Sequence, residues 1–168
     1  MPRVLVVSGP INGGKTTVSR LLCQRLSGTA HVEGDALRAF VDWMPLEESI
    51  PINLRNLIDV SRNFLTAGQH VVVDYLLSAA NHAQLVEELG PVADSLDSFV
   101  LAPTLAVALS DRGDRKLDDW ERGRIRELYD QHIHDPGFGI SIDTGEQTAE
   151  QTVEEILTHV RSGRGGER

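Results

Sequence analysis

The decapeptide SGPINGGKTT, residues 8–17, is the feature that most limits what this chain can fold into. It follows the apolar run VLVV, and residues 9–16 match the pattern G-x-x-x-x-G-K-[ST] at every fixed position. Glycines let successive backbone N–H groups turn toward one centre, and the N-terminus of a following helix adds positive charge there. Apolar residues then recur at helical spacing, namely Val18, Leu21, Leu22 and Leu26. The stretch therefore predicts a strand, a phosphate-binding loop and a helix.

The residue types in this loop predict a nucleoside triphosphate as the ligand, with ATP as the expected one. The Lys15 ammonium is a compact charge that can reach the β- and γ-phosphates. The Thr16 hydroxyl is a candidate ligand for the Mg²⁺ that accompanies the nucleotide. The loop residues predicted to bind the nucleotide are Gly9, Asn12, Gly13, Gly14, Lys15, Thr16 and Thr17.

Strand and helix signals alternate along the rest of the chain. Strands are predicted at residues 4–8, 30–33, 70–75, 98–102 and 139–143, and three of them carry unbroken aliphatic runs. Such runs are typical of parallel strands that are buried on both faces. Thr148 and Gln151 form a capping box that predicts the start of the last helix. The pattern predicts one doubly wound α/β domain over residues 1–161, with a flexible tail at 162–168.

Two carboxylates stand at the ends of predicted strands. Asp35 follows the second strand and Asp74 ends the third, and ligands of doubly wound sheets bind beyond the carboxyl ends of the strands. We therefore expect Lys15, Asp35 and Asp74 to converge. Asp35 is predicted to act on an acceptor, and Asp74 to hold a metal or contact the acceptor; the alternatives are a helix N-cap and a turn residue. Arg38, one helical turn after Asp35, is either an acceptor anchor or a surface residue.

Later segments supply further candidates. Arg112 and Arg115 flank a glycine in a predicted lid, about residues 112–122, where they could stabilise transferring charge; a solvated helix end is the alternative. Thr144 lies in a loop that either contacts the nucleotide base or only caps a helix. Trp43 and Trp120 are predicted to pack against other residues, and Trp43 is also a candidate for the wall of an acceptor pocket. The six histidines show no metal-ligand spacing with cysteines or carboxylates.

The charge and composition of the chain limit the kinds of partner that it can bind. The net charge of −9, from 16 basic and 25 acidic residues, argues against long nucleic acids. Cys23 is the only cysteine, which excludes an intramolecular disulfide, and its apolar surroundings predict core packing. No apolar stretch approaches the roughly 20 residues of a membrane span. We expect a cytoplasmic monomer that binds neither membranes nor nucleic acid.

The assembled motifs resemble those of the small P-loop kinases of the nucleoside-monophosphate-kinase-like group. The matching segments are GPINGGKTT, HVEGDALR, NFLTAGQHVVVDYLLS, DRGDRKLDDWERGRIRELY and GISIDTG, which together extend to about residue 157. Within that group the chain looks most similar to short AAA-type ATPases in the neighbourhood of chloramphenicol phosphotransferase, gluconate kinase and the zeta toxins. The resemblance implies a three-layer P-loop NTPase fold with a five-stranded parallel sheet of order 2-3-1-4-5 and a short lid.

The resemblance also implies Mg-ATP-dependent transfer of the γ-phosphate to a small molecule. Lys15 and Thr16 then bind phosphate and Mg²⁺, Asp35 orients or deprotonates the acceptor hydroxyl, Asp74 lies near the metal, and Arg112 and Arg115 serve the lid. The loop ends in GKTT instead of the GKGT of adenylate kinases, which favours an alcohol over a phosphate as acceptor. The segment DALRAFVDWMP does not match the acceptor segment of gluconate kinases.

Three functions are consistent with these features. The leading hypothesis is an ATP-dependent kinase for a hydroxyl of a small molecule. The second is a nucleotide-binding switch or ATPase that acts on a partner protein. The third is a kinase for nucleic-acid ends, which the acidic net charge opposes.

Overall fold

The computed structural model describes residues 2–111 and 115–163, in which strands and helices alternate. The strands are β1 (Arg3–Ser8), β2 (Thr29–Glu33), β3 (His70–Asp74), β4 (Ser95–Leu101) and β5 (Ile140–Ile142). The α-helices are α1 (Lys15–Arg25), α2 (Gly34–Arg38), α3 (Leu46–Thr66), α4 (Ala79–Leu89), α5 (Leu105–Ala108), α6 (Asp119–Asp130) and α7 (Ala149–Ser162). Short 3₁₀ turns cover Ala39–Val41 and Gly90–Val92.

The strands form one parallel sheet in the order β2-β3-β1-β4-β5. The register places Asp74 of β3 opposite Val7 of β1 and Glu33 of β2, so the ends of these three strands lie side by side. The order changes direction between β1 and β4, which is where doubly wound sheets bind their ligands. The predicted strand order and the three-layer α/β architecture are confirmed.

Helices cover both faces of the sheet because successive residues of the central strands point to opposite faces and are apolar on each of them. On one face, buried residues of α3 and α4 such as Leu57 and Leu85 pack against Val6 and Val73. On the other face, residues of α1 and α7 pack against the intervening strand residues; this cluster includes Leu5, Val72, Leu22 and Ile156. The unbroken aliphatic runs predicted this sandwich, since each residue of such a run faces one helical layer.

The predicted strand limits agree with the structure to within one residue, except at the start of β4. That strand begins at Ser95, three residues before the predicted start at Ser98, because its pairing with β1 continues back to Arg3. The capping box at Thr148 and Gln151 is present at the start of α7. Cys23 is half-buried at the edge of the core, and burial raises the pKa of its thiol to about 11. A thiol with that pKa is a poor nucleophile near neutral pH.

The predicted lid falls partly outside the described residues. Residues 112–114, with Arg112, lie outside them, whereas residues 119–122 form the first turn of α6. Of the predicted tail, residues 164–168 also lie outside, and Ser162 ends α7. Across residues 2–111 and 115–163, none of the helices combines the length and apolarity that crossing a membrane requires.

Candidate active site

The predicted phosphate-binding loop joins β1 to α1, and glycines shape it. Gly9 has φ 138°, and a Cβ there would lie 2.5 Å from the carbonyl oxygen of Leu101. Gly14 has φ 89° at the N-cap position of α1, a conformation that costs a side-chain-bearing residue energy. The first N–H groups of a helix have no acceptor within the helix. The loop therefore leaves donors at the N-terminus of α1 available to an anion.

Lys15, the first residue of α1, is buried beneath this loop. Its Nζ donates a hydrogen bond to the Pro10 carbonyl oxygen at 3.0 Å. Burial lowers the pKa of Lys15, and the carboxylates of Asp74 and Asp35 act in the opposite direction. The three charges are thus close enough to influence one another, as their positions at the strand ends suggested.

Asp74 lies deep at the end of β3, with 3% of its surface exposed. The His31 ring contacts it: the distance from Nε2 to Asp74 Oδ2 is 3.4 Å. Donor atoms of His31, Glu33 and Asp74 lie within 4.8 Å of one another. The sequence showed no metal-ligand spacing between histidines and carboxylates, yet His31 and Glu33 share a face of β2 and the register brings Asp74 beside them.

Asp35 stands in the first turn of α2 and faces the central cavity. The N-cap position of α2 is Glu33, and no side chain caps the helix, so the alternative that Asp35 is an N-cap does not hold. Among residues 2–111 and 115–163, no group forms a hydrogen bond or ion pair with the Asp35 carboxylate. A carboxylate in this situation is free to accept a proton from a ligand.

Gly34 sets the position of Asp35 through contact with Tyr75. A Cβ on Gly34 would lie 2.2 Å from Cδ2 of Tyr75, whose ring is buried. The ring comes directly after β3 and packs where a side chain at residue 34 would be. Only glycine therefore allows α2 to begin this close to the sheet.

We predict that Gly34→Ala destabilises the fold by about 1–3 kcal/mol, the usual cost of overpacking, because the added Cβ meets the Tyr75 ring. Urea unfolding measures the free energy of unfolding of the variant. Gly90→Ala is the matched control, since a Cβ there meets nothing within 4 Å. Equal stability of the two variants would show that Tyr75 can move aside without cost.

Arg38 ends α2 and lines the same cavity. Its Nε donates to Ser49 Oγ at 3.3 Å, and Ser49, fully buried, donates in turn to the Leu46 carbonyl oxygen at 2.7 Å. No carboxylate pairs with Arg38 in the described parts of the chain. The guanidinium is therefore held in place with positive charge left for a ligand.

One cavity of about 740 Å³ joins the phosphate-binding loop to a second region beyond Asp35. Apolar side chains from α3, α6 and the segments beside them form much of its wall: Leu46, Ile50, Leu76, Leu128 and Ile133. Neutral polar groups are contributed by Ser78, Asn81 and Gln131. This volume is large enough for a phosphate chain and a second small molecule together.

The lid side of the cavity holds Arg115 and Trp120. Arg115 lines the cavity and pairs with Glu121 at 2.9 Å, and Glu121 belongs to the capping box of α6. Trp120 is 63% exposed and lines the cavity, so its predicted packing role was wrong. Trp43 is 74% exposed and does not pack in the core either. Trp43 comes shortly after the 3₁₀ turn Ala39–Val41 and is not among the described residues that line the cavity.

A smaller cleft of about 110 Å³ adjoins the other side of the loop. It is lined by Gly13, Gly14 and Thr17 on the loop side, and by Thr144, Gln147 and the first turn of α7 on the other side. The Thr144 hydroxyl is buried there and has no hydrogen-bond partner in the described structure. An unsatisfied buried hydroxyl is costly, which fits a cleft that a polar ligand completes.

Asn12, predicted to bind the nucleotide, uses its side chain to hold the loop in place. Its side-chain Nδ2 donates to the carbonyl oxygens of Ala108 and Ser110, each at 2.9 Å. This residue has φ 60° and ties the loop to the end of α5. Its side chain is therefore committed to the protein, and only its backbone N–H could face a phosphate.

The groups beside Lys15 have the chemistry that Mg²⁺ requires. Thr16, which lines the cavity, supplies a hydroxyl, and Asp74 supplies a buried carboxylate. Mg²⁺ prefers such hard oxygen ligands together with phosphate oxygens. These two residues therefore fit the ion.

Several solved structures with the same fold are named as kinases. A sugar kinase from Janibacter sp. HTCC2649 is similar at a TM-score of 0.73 and 20% identity, over 98% of this chain and 97% of that one. A gluconokinase from Sinorhizobium meliloti 1021 is similar at 0.70 and 21%, over 97% and 94%. The Mycobacterium tuberculosis APS kinase in complex with AMPPNP and APS is similar at 0.60 and 16%, over 95% and 98%.

No protein-family model matches the sequence, and no curated protein matches it. The structural similarities establish the fold: the chain has the three-layer α/β fold of small P-loop kinases, with the parallel sheet order 2-3-1-4-5.

Proposed function

We propose that this protein is an ATP-dependent phosphotransferase that moves the γ-phosphate of ATP to a hydroxyl of a small molecule. One observation carries the proposal: a phosphate-binding loop and the carboxylate of Asp35, which no group in the described residues pairs with, face the same cavity. A protein that only binds ATP needs the loop. A kinase also needs a group that handles the acceptor's proton and space for the acceptor, and both lie beyond Asp35.

The proposed reaction uses the cavity from both ends. The acceptor oxygen forms a bond to the γ-phosphorus, the bond from that phosphorus to the β,γ-bridging oxygen breaks, and the hydroxyl proton passes to Asp35. ADP and the phosphate ester are the products. Lys15 stabilises the negative charge on the phosphates, and Arg115, with Arg112 in the predicted lid, is assigned to the transferring phosphoryl group.

The remaining site residues receive roles from their positions. Thr16 and Asp74 would hold Mg²⁺, which supplies charge neutralisation between the phosphates when it is bound. The cleft at Thr144 is assigned to the nucleoside part of ATP, and its unsatisfied hydroxyl supports that assignment. We propose that the protein acts as a monomer on a free small molecule.

Arg38 is proposed to bind the acceptor, because it has no carboxylate partner in the described structure and lines the acceptor end of the cavity. The anchored guanidinium suits an acceptor that carries a negative or strongly polar group, and the apolar wall suits a carbon-rich body.

We predict that Arg38→Met raises the KM for the acceptor about 10- to 100-fold, the worth of a hydrogen bond to a charged group, with little change in the KM for ATP. Steady-state kinetics at varied acceptor and ATP concentrations separate the two. Arg55→Met on the exposed side of α3 is the control. A larger change in the KM for ATP than in the KM for the acceptor would assign Arg38 to nucleotide binding instead.

The proposal is tested by transfer of labelled γ-phosphate from Mg-ATP to separate pools of neutral sugars, sugar acids, aromatic alcohols, aminoglycosides, nucleosides, nucleoside monophosphates and oligonucleotides. A new labelled product in one pool supports the kinase and identifies its acceptor class. ATP binding with no labelled organic product in any pool would favour the switch or ATPase hypothesis. A product only with oligonucleotide ends would favour the third hypothesis.

A further inference from the structure

The proposed reaction does not use the contact between His31 and Asp74. His31 lies in β2, two residues before Glu33, and its side chain is 18% exposed. Asp74 is almost fully buried, and among the described residues His31 is the side chain that bonds its carboxylate. Asp74 also lies opposite Val7 of β1 and Glu33 of β2, and its charge acts to raise the pKa of Lys15.

The direction of this hydrogen bond follows from chemistry. A carboxylate oxygen accepts hydrogen bonds, so this contact is a hydrogen bond in the tautomer of His31 that carries its proton on Nε2, which then donates to Asp74 Oδ2. That bond occupies one oxygen from the β2 side. The rotation of the carboxylate about its last bond is then restricted, and the second oxygen is left for other partners.

The restricted rotation of Asp74 matters because a second carboxylate, that of Glu33, lies beside it. Glu33 stands directly opposite Asp74 in the register, and their donor atoms lie within 4.8 Å of each other. Two carboxylates at this separation repel each other unless positive or N–H groups lie beside them. Arg20 pairs with Glu33 at 3.4 Å, and His31 bonds Asp74, so each carboxylate has its own partner. The repulsion between the two carboxylates is therefore offset on both sides, and His31 supplies the part that acts on Asp74.

We infer that His31 is a positioning residue: it holds the Asp74 carboxylate in the orientation that serves the nucleotide-bound Mg²⁺. The inference rests on the nucleotide and metal part of the proposed function and needs nothing about the acceptor. Groups that bond the ligand residues of a metal change its affinity about 10- to 100-fold when they are removed. The effect of His31 should therefore appear in metal binding and not in nucleotide binding without metal.

The test compares His31→Gln with His31→Leu. The two replacements are similar in size, and only glutamine retains an N–H donor near the position of Nε2. Mn²⁺ is the probe, and its binding to the protein–AMPPNP complex is measured by electron paramagnetic resonance. We expect His31→Leu to weaken Mn²⁺ binding about 10- to 100-fold and His31→Gln to stay close to the unaltered protein. AMPPNP affinity without metal stays the same in both.

A second histidine supplies the matched control. His70 begins β3, at the opposite end of the strand from Asp74, and its Nδ1 accepts a hydrogen bond from the Arg3 N–H at 3.1 Å. His70→Leu removes a hydrogen bond between neighbouring strands without touching the site, so it reports any general effect of weakening the sheet. We expect Mn²⁺ binding by His70→Leu to match that of the unaltered protein.

The outcomes separate this inference from the proposed function. Equal Mn²⁺ affinity for His31→Leu and His31→Gln would overturn the inference, and so would a loss of the same size in His70→Leu. If His31→Leu does not fold, His31→Gln still decides: a 10-fold or greater loss of Mn²⁺ affinity in the folded glutamine variant contradicts the donor role. Absence of acceptor phosphorylation, with the expected Mn²⁺ difference intact, would count against the kinase alone.

Discussion

Lys15→Ala will abolish turnover of ATP, or reduce it by at least about 10²–10³-fold, without unfolding the domain. The lysine is buried beneath the phosphate-binding loop, where burial lowers its pKa and the carboxylates of Asp74 and Asp35 oppose that shift. Its charge is costly to bury, so its removal does not weaken the fold through a lost core contact. What is lost is the positive group that the triphosphate needs.

The measurement combines calorimetric binding of ATP with turnover and thermal unfolding. Lys116→Ala is the matched control, because Lys116 is the other lysine of the chain and is exposed. We expect the control to behave as the unaltered protein in all three measurements. Unchanged binding and turnover in Lys15→Ala would contradict the assignment of the loop to phosphate.

Asp35→Asn will keep ATP binding and lower phosphate transfer by roughly 10²–10⁴-fold, the usual worth of general acid–base catalysis. The amide is close in size to the carboxylate, so the first turn of α2 and its packing are preserved. Asparagine cannot take up the acceptor proton. Removal of a group that acts only on the acceptor lowers the rate of transfer and leaves the affinity for ATP unchanged.

The control for this variant is Asp42→Asn, an exposed carboxylate in the turn after α2. Single-turnover transfer with saturating ATP removes any contribution from nucleotide affinity. Normal binding and a normal rate in Asp35→Asn would leave Asp35 with a structural role alone. Weakened ATP binding with the same loss of rate would instead place Asp35 at the nucleotide.

The sequence predicted the features of the fold that depend on local pattern. Aliphatic runs predicted strands buried on both faces. The loop at residues 9–16 could be recognised from its glycine spacing, because Gly9 and Gly14 take φ values that residues with a side chain rarely adopt. Asp35 and Asp74 could be assigned to one rim because the ends of parallel strands meet there. Their proximity to Lys15 needs no knowledge of side-chain packing.

Features that depend on register or on the course of a loop could not be predicted in this way. His31 meets Asp74 only because β2 and β3 pair with Glu33 opposite Asp74, and strand order and register are not local properties. Trp120 lines the cavity because α6 begins beside it, whereas its sequence neighbours are charged and carry no apolar pattern. The position of Asn12 in the loop predicted a contact with phosphate, yet its side-chain amide donates to carbonyl oxygens about a hundred residues away along the chain.

The central claim is that the γ-phosphate leaves ATP for an organic hydroxyl. The measurement that tests it most directly is the distribution of label from the γ-phosphate after turnover with the acceptor pools. The label in phosphate esters is separated from the label in inorganic phosphate, and each is quantified. We predict that the label appears in an ester with the unaltered protein and that this ester is lost in Asp35→Asn. Label found only as inorganic phosphate, in equal amounts with and without the pools, would contradict the account.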